Sequence, residues 1–386
     1  GAHGARGVEQ RGLGDVVGVG ERGLLAGDGA HKVADAFVAQ AIAARPTMNP
    51  EQQQALAHLT RDTGALALLE GYAGTGKSFM LDAAREAWEA QGLTVVGGAL
   101  AGKAAEGLEE SSGIPSRTLA SWIHGLDRGS LQLTAQHVLV IDESGMVGTR
   151  QMGRLLEAAQ AAGAKVVLVG DSRQLEAIEA GSPFHMLATE HGAEKLTQVM
   201  RQRTEWMRDA TKAFGDGEPA KALAAYHANK KTHAADTHRD ALKGAAEAWA
   251  RHHLKRPGQS SLMLAYKRDD VHKLNAAARK FRVDRGELGA GLVVQTEYGQ
   301  REFSRGDRIY FGLNDKREIG VTNGSLGTVE AVRGNELLVK LDGGRLVVVD
   351  TDRAALLDGL TGATWRKRRE RALGRLKLWW RTQHDD

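Results

Sequence analysis

The sequence predicts an α/β fold, a parallel sheet interleaved with helices, followed by a second, partial α/β part and a small β module. Three observations carry that reading. Short apolar runs recur at Leu66–Leu69, Thr94–Val96, Val138–Ile141 and Val166–Val169, each bounded by glycine or charge, with helix-compatible stretches between them. Apolar runs of that length, with no polar alternation, are typical of strands buried on both faces. The first run leads through a glycine-rich turn into a helical stretch, Phe79–Ala90, and the third ends in two acids, Asp142 and Glu143.

Taken in order, residues 1–46 form a leader and a linker helix. Residues 1–30 hold ten glycines with no helical or strand period, which reads as a disordered or non-natural leader. His31 to Ala44 is helix-compatible through Val33, Ala36, Phe37, Ala39 and Ile42. Pro46 and Pro50 bracket a break, and Asn49 is placed to cap the helix that follows. Residues 47–190 carry the alternating pattern of a first lobe. Residues 191–302 form the partial second lobe, with helical patterning to 255 and a strand-like run, Ser261–Ala265, that leads into a helix near 269–286. In residues 303–350, Ile309–Phe311, Leu326–Val332, Leu337–Leu341 and Leu346–Val349 are split by Gly-Ser, Gly-Asn and Gly-Gly turns. That is the pattern of an antiparallel meander or small barrel. Residues 351–386 are a basic, Trp-bearing tail.

Composition narrows the function classes. The chain has 386 residues, 42% hydrophobic and 26% charged, enough for about two to three domains. With no cysteine, disulfide scaffolds, zinc–thiolate sites and cysteine nucleophiles are excluded. No run of about 18 apolar residues exists to span a membrane. No basic-then-apolar leader marks secretion, so the expected compartment is the cytoplasm. The net charge is +4. Residues 351–386 hold nine Lys and Arg against five Asp and Glu, so the remaining 350 residues are neutral overall. A nucleic-acid reading therefore cannot rest on charge balance and must rest on motifs.

The strongest motif is Gly71-Tyr72-Ala73-Gly74-Thr75-Gly76-Lys77-Ser78, which fits G-x-x-x-x-G-K-[ST] between a strand and a helix. Gly71, Gly74, Thr75 and Gly76 would let backbone N–H groups close around phosphate oxygens at a helix N-terminus. Lys77 would reach the β- and γ-phosphates of ATP, and the Ser78 hydroxyl would bind Mg²⁺. Asp142 would hold Mg²⁺ through water, and Glu143 would accept the proton of the attacking water. A third strand ends in Gly170-Asp171-Ser172-Arg173-Gln174-Leu175, where Gln174 could sense the γ-phosphate.

The order of these elements resembles superfamily 1 DNA helicases of the RecD-like branch, above all the helicase portion of conjugative relaxase/helicases (TraA-like, MobA/MobL-type). Supporting stretches are Asn49–Gln52, Ala99–Ala105, Ser116–Leu119, Gly170–Leu175 through Gly181, Arg201–Arg203, Leu264–Arg279 with Asn275, and Gly306–Arg308 through Asn323–Gly327. The resemblance covers about residues 31–350. It implies a P-loop NTPase with a RecA-like first lobe, a partial RecA-like second lobe and an SH3-like β insertion. It implies that Gln52 reads the adenine edge, that Gln174 couples the nucleotide to DNA, and that Arg201 reaches the γ-phosphate from the second domain. It places Lys103, Thr118 and Trp122 along single-stranded DNA, where cations meet phosphates and planar groups meet bases. Alternatives stand beside each: Trp122 as core, Lys103 as a solvated helix residue, Arg201 as the partner of an acid, the β insertion as a plain appendage.

The resemblance also implies features that are missing. Two later motifs, a His-Lys-x-x-Gln-Gly-like run and a Thr-Arg pair, should follow the β meander and are not found after Asp350. The metal-binding histidines and nucleophilic tyrosine of a relaxase are not seen either. His3 and His31 stand alone, and His252-His253 is a pair on a helical stretch. The expectation is an ATP- and Mg²⁺-dependent helicase module acting on single-stranded DNA beside relaxosome proteins, truncated at its C-terminal side. The alternative is an ATP- and DNA-binding remnant without motor activity. A ring-forming AAA-type ATPase is a third reading, against which the Gln52, Gly170–Leu175 and Arg201-Gln202 series argues. The tail is either a basic nucleic-acid arm or frame-shifted, non-native sequence.

Overall fold

The computed structural model describes residues 31–171, 183–202, 204–259, 261–296, 299–312, 315, 318–351, 357–360 and 363–364. The chain divides into two compact units, 1–232 and 233–386.

In the first unit, helix α1 (Asp35–Ala43) precedes α2 (Pro50–Ala57). Asn49 caps α2 as the sequence suggests: its side chain accepts from Gln52 N, and the Gln52 side chain accepts from Asn49 N. Next come β1 (Leu66–Gly71), α3 (Lys77–Ala90), β2 (Thr94–Ala99), α4 (Gly102–Ser112), β3 (Ser116–Thr118) and α5 (Leu119–Asp127). They are followed by β4 (His137–Ile141), α6 (Thr149–Ala162), β5 (Lys165–Gly170), α7 (Pro183–His191) and β6 (Glu194–Leu196). The six strands form one parallel sheet in the order β3-β2-β4-β5-β1-β6. Alternate residues of each central strand face opposite ways, so two cores result. Ala67, Leu69, Val138, Val140, Val167 and Val169 pack with α3, including buried Trp88. Leu66, Leu68, Leu139, Ile141, Val166 and Leu168 pack with α5, α6 and α7, including Phe184. This is the α/β fold the apolar runs predict, with the phosphate loop, Asp142-Glu143 and Asp171 at the C-terminal edge of the sheet.

The boundary expected between 190 and 191 is displaced. β6 pairs with β1 in parallel, so it belongs to the first sheet. Helices α8 (Glu205–Gly215) and α9 (Pro219–Ala228) then complete the same unit. The strand escaped notice because it is three residues long and only Leu196 of it is buried.

In the second unit, α10 (His238–Lys255), β7 (Met263–Leu264) and α11 (Arg268–Asp284) share a core of Trp249, Met263, Val271, Leu274 and Ala278. The β module starts earlier than residue 303. β8 (Gly291–Thr296) and β9 (Gly299–Ser304) form a hairpin that contributes Val294 and Phe303 to its core. β10 (Arg308–Phe311), β11 (Leu326–Arg333), β12 (Glu336–Leu341), β13 (Leu346–Asp350) and β14 (Leu357–Leu360) form an antiparallel sheet in the order β13-β12-β11-β10-β14. Finally β15 (Ala363–Thr364) pairs in parallel with β7. The segment from 351 is therefore not a tail throughout: 357–360 and 363–364 are built into the unit's sheets. No helix among the described residues is long and apolar enough to cross a membrane.

Candidate active site

The phosphate loop spans the turn between β1 and α3. Gly74 and Gly76 sit at φ +87° and +83°, a left-handed conformation costly to any residue with a Cβ. Gly76 is the N-cap of α3, so Lys77 and Ser78 open that helix. The loop folds onto itself through one carbonyl: Tyr72 O accepts from Thr75 Oγ1 at 2.9 Å and from Lys77 Nζ at 3.1 Å. Lys77 Nζ also donates to Gly71 O at 2.6 Å. Two neighbours brace the outside. Gln52 Nε2 donates to Thr75 O at 2.9 Å, and Met200 N and Arg201 N donate to Gly74 O at 2.8 and 3.1 Å.

Acids gather at the adjoining strand ends. Asp142 follows β4, and its carboxylate accepts from Glu143 N at 2.9 Å. Burial raises the Asp142 pKa against the opposing pull of that hydrogen bond and of Lys77. Glu143 is exposed and held at φ +53°, ψ +36°, an unusual conformation for a non-glycine residue. Burial lowers the Lys77 pKa, while Asp171, Asp142 and Glu143 raise it and Arg201 lowers it further. One lysine thus lies in the field of three carboxylates and a guanidinium at the mouth of a glycine loop. Asp171, buried just past β5, escaped the sequence reading, which favoured Gln174 in the same loop. Its signal was positional, an acid ending a buried strand next to the motif strand. Gln174 itself lies outside the described residues.

Other expected positions resolve differently. Gln52, expected to read the adenine edge, is buried, and its amide is engaged with Asn49 N and Thr75 O, which braces the phosphate loop. Arg201 does not come from the second unit. It follows β6 within the first and packs so closely that a Cβ on Gly74 would lie 2.9 Å from its own. Trp122 is not a stacking platform. It is 4% exposed in the α5–α6 core, and its Nε1 donates to Gly97 O at 2.8 Å. Lys103 is exposed on α4 and pairs with Glu106 at 3.6 Å. Thr118 caps α5 by accepting from Ser121 N at 3.2 Å. Exposed Arg117 beside it, its guanidinium 5.1 Å over the Trp122 ring, is a cation the sequence reading passed over. Lys103, Arg117 and Thr118 thus share the C-terminal edge of β2 and β3.

The glycine loop, the helix-opening lysine and serine, and the aspartate at the end of β4, two strands along the sheet, fit the donor set that a magnesium nucleotide needs. Among known proteins, residues 47–237 match the family described as an AAA domain. The chain is 40% identical over 311 residues to a probable conjugal transfer protein TraA of Sinorhizobium fredii, covering 81% of this chain and 28% of that one. It is 38% identical over 351 residues to the conjugal transfer protein TraA of Agrobacterium fabrum, covering 90% of this chain and 32% of that one. An ATP-dependent RecD2 DNA helicase of Deinococcus radiodurans is 37% identical over 163 residues, 41% of this chain and 22% of that one. The chain thus spans roughly three tenths of the length of the TraA relatives it matches. Over the stretch it does span, the chain is similar to these TraA proteins and, over a shorter stretch, to the RecD2 helicase, and residues 47–237 match an AAA domain.

Proposed function

We propose that this chain is the ATP-dependent helicase or translocase module of a conjugative DNA-transfer protein, hydrolysing ATP to move on single-stranded DNA in the cytoplasm. The observation that carries the reading is the convergence on Lys77: a self-closed glycine loop, three carboxylates and Arg201, all at one sheet edge. Lys77 is held on two loop carbonyls and would exchange them for phosphate oxygens. Ser78 and Asp142 would hold magnesium, which when bound offsets phosphate charge and orients the terminal phosphoryl group. Glu143, exposed at the end of the same strand as Asp142, would take the proton from water. Arg201 would add positive charge beside the phosphates from within the same unit. Lys103, Arg117 and Thr118 would contact the strand. Relaxosome proteins are the partners this reading implies.

The test is ATP turnover with and without single-stranded DNA. DNA should stimulate turnover, Lys77→Ala should reduce it to background, and Lys103→Ala with Arg117→Ala should weaken DNA binding. Each lost contact should make the salt dependence shallower by about 0.7 in log–log slope. DNA-independent turnover would overturn the motor reading, and so would nucleotide and DNA binding with no turnover.

A further inference from the structure

The Tyr72 carbonyl holds Lys77, but its side chain has no part in the phosphate chemistry above and is held at a distance from the loop. Its hydroxyl donates to Asp216 Oδ1 at 3.1 Å. Its ring lies against Gly215 so closely that a Cβ there would meet it at 3.0 Å. Gly215 and Asp216 end α8. The approach to the other end of α8 is also tied to the loop, through Met200 N and Arg201 N on Gly74 O. We propose that α8 is a lever fastened at its far end to the phosphate loop, with Tyr72 and Asp216 the positioning pair, and that the chain ahead of it is tied to the same loop at Gly74.

The coupling has a physical source. Lys77 bonds to Gly71 O and Tyr72 O. When Lys77 turns to a phosphate, both carbonyls lose that donor, and one belongs to the residue whose hydroxyl holds Asp216. A shift of Tyr72 is then felt about 16 Å along, the length of an eleven-residue helix. The lever is stiff. Ala210 and Ala213 of α8 pack on Ala222 of α9, and Tyr226 of α9 meets Trp206 edge-on at 5.2 Å and Phe214 at 6.2 Å. Glu218 N donates to Ala213 O at 2.8 Å and closes the turn between them. The α8–α9 hairpin is the last helical element before the boundary at residue 232, so nucleotide occupancy would reach the end of the first unit through it.

This proposal rests on the nucleotide reading, so the experiment separates the two. Hydrogen exchange of the full chain is followed with and without ADP and Mg²⁺. ADP should slow exchange in α3 and also change exchange in α8, the latter by about two- to tenfold, the worth of one hydrogen bond. Tyr72→Phe and Asp216→Ala should keep the α3 response and lose the α8 response. Asp216→Asn, which retains an acceptor oxygen, should restore it. An α8 response of full size in Tyr72→Phe and Asp216→Ala would overturn the lever, as would an α3 response with none in α8 of the unaltered chain. No response in either helix would overturn the nucleotide reading and the lever with it.

Discussion

Alanine at Gly76 would strain the phosphate loop in two separable ways. An L-residue at φ +83° costs about 1–2 kcal/mol. The new Cβ would also fall within van der Waals distance of Gln52 Nε2, displacing the amide that donates to Thr75 O. That bond is buried, so losing it costs roughly 1–3 kcal/mol more. Gly76→Ala alone should therefore destabilise the first unit by about 2–5 kcal/mol. In a Gln52→Ala background the obstruction is already gone, and the same substitution should cost only the backbone part. The double-mutant cycle should show a coupling of about 1–3 kcal/mol, with the double variant more stable than the sum predicts. Urea unfolding followed by fluorescence of the buried Trp88 and Trp122 measures it. Costs that add to within about 0.5 kcal/mol would refute the claim that Gln52 and Gly76 share one space.

Three further expectations follow from the same structure. Trp122→Phe should cost about 1–3 kcal/mol through the lost donation to buried Gly97 O while leaving single-strand affinity unchanged, since the ring is core; a selective loss of DNA binding in a fluorescence titration would refute this. Glu143→Gly should stabilise the fold by about 1–2 kcal/mol by relieving a left-handed non-glycine residue and should abolish ATP turnover, checked by thermal unfolding alongside an ATPase assay. Lys165, buried with its ammonium on Thr63 O, Thr63 Oγ1 and Gly64 O, has its pKa lowered by burial to about 7. Between that value and about 10.4 the unfolded chain holds one proton more, so stability should rise with pH across this window by up to about 1.4 kcal/mol per unit, with the penalty constant below it. Lys165→Met should remove that rise in urea titrations at stepped pH.

Sequence legibility followed chemical specificity. Gly71–Ser78 and Asp142-Glu143 were readable because few backbones other than a phosphate loop and a strand-end acid pair need those residues in that order. The central strands were readable because Leu66–Leu69, Val138–Ile141 and Val166–Val169 are apolar on both faces. Trp122 was not, because an aromatic on an amphipathic helix looks the same whether it faces the core or solvent; only the core it joins, with Leu139, Met152 and Leu155, decides. Arg201 was assigned to the wrong unit because Glu194–Leu196, the strand that anchors it, carries no apolar run. β8 and β9 were missed for a related reason: Gly299–Ser304 is mostly polar, and its one large apolar residue, Phe303, is what joins it to the core.

The parallel pairing of β15 with β7 makes the β module an interruption rather than an appendix. β7, α11 and β15 are the parts of an ordinary strand–helix–strand crossover, and the module occupies the return leg between helix and second strand. A self-folded segment in that place adds chain without asking the flanking strands to re-register, and the entropy of closing a longer connection grows only with the logarithm of its length. Related chains are thus free to enlarge, shrink or exchange the module while the α/β layer beneath it keeps its pairing.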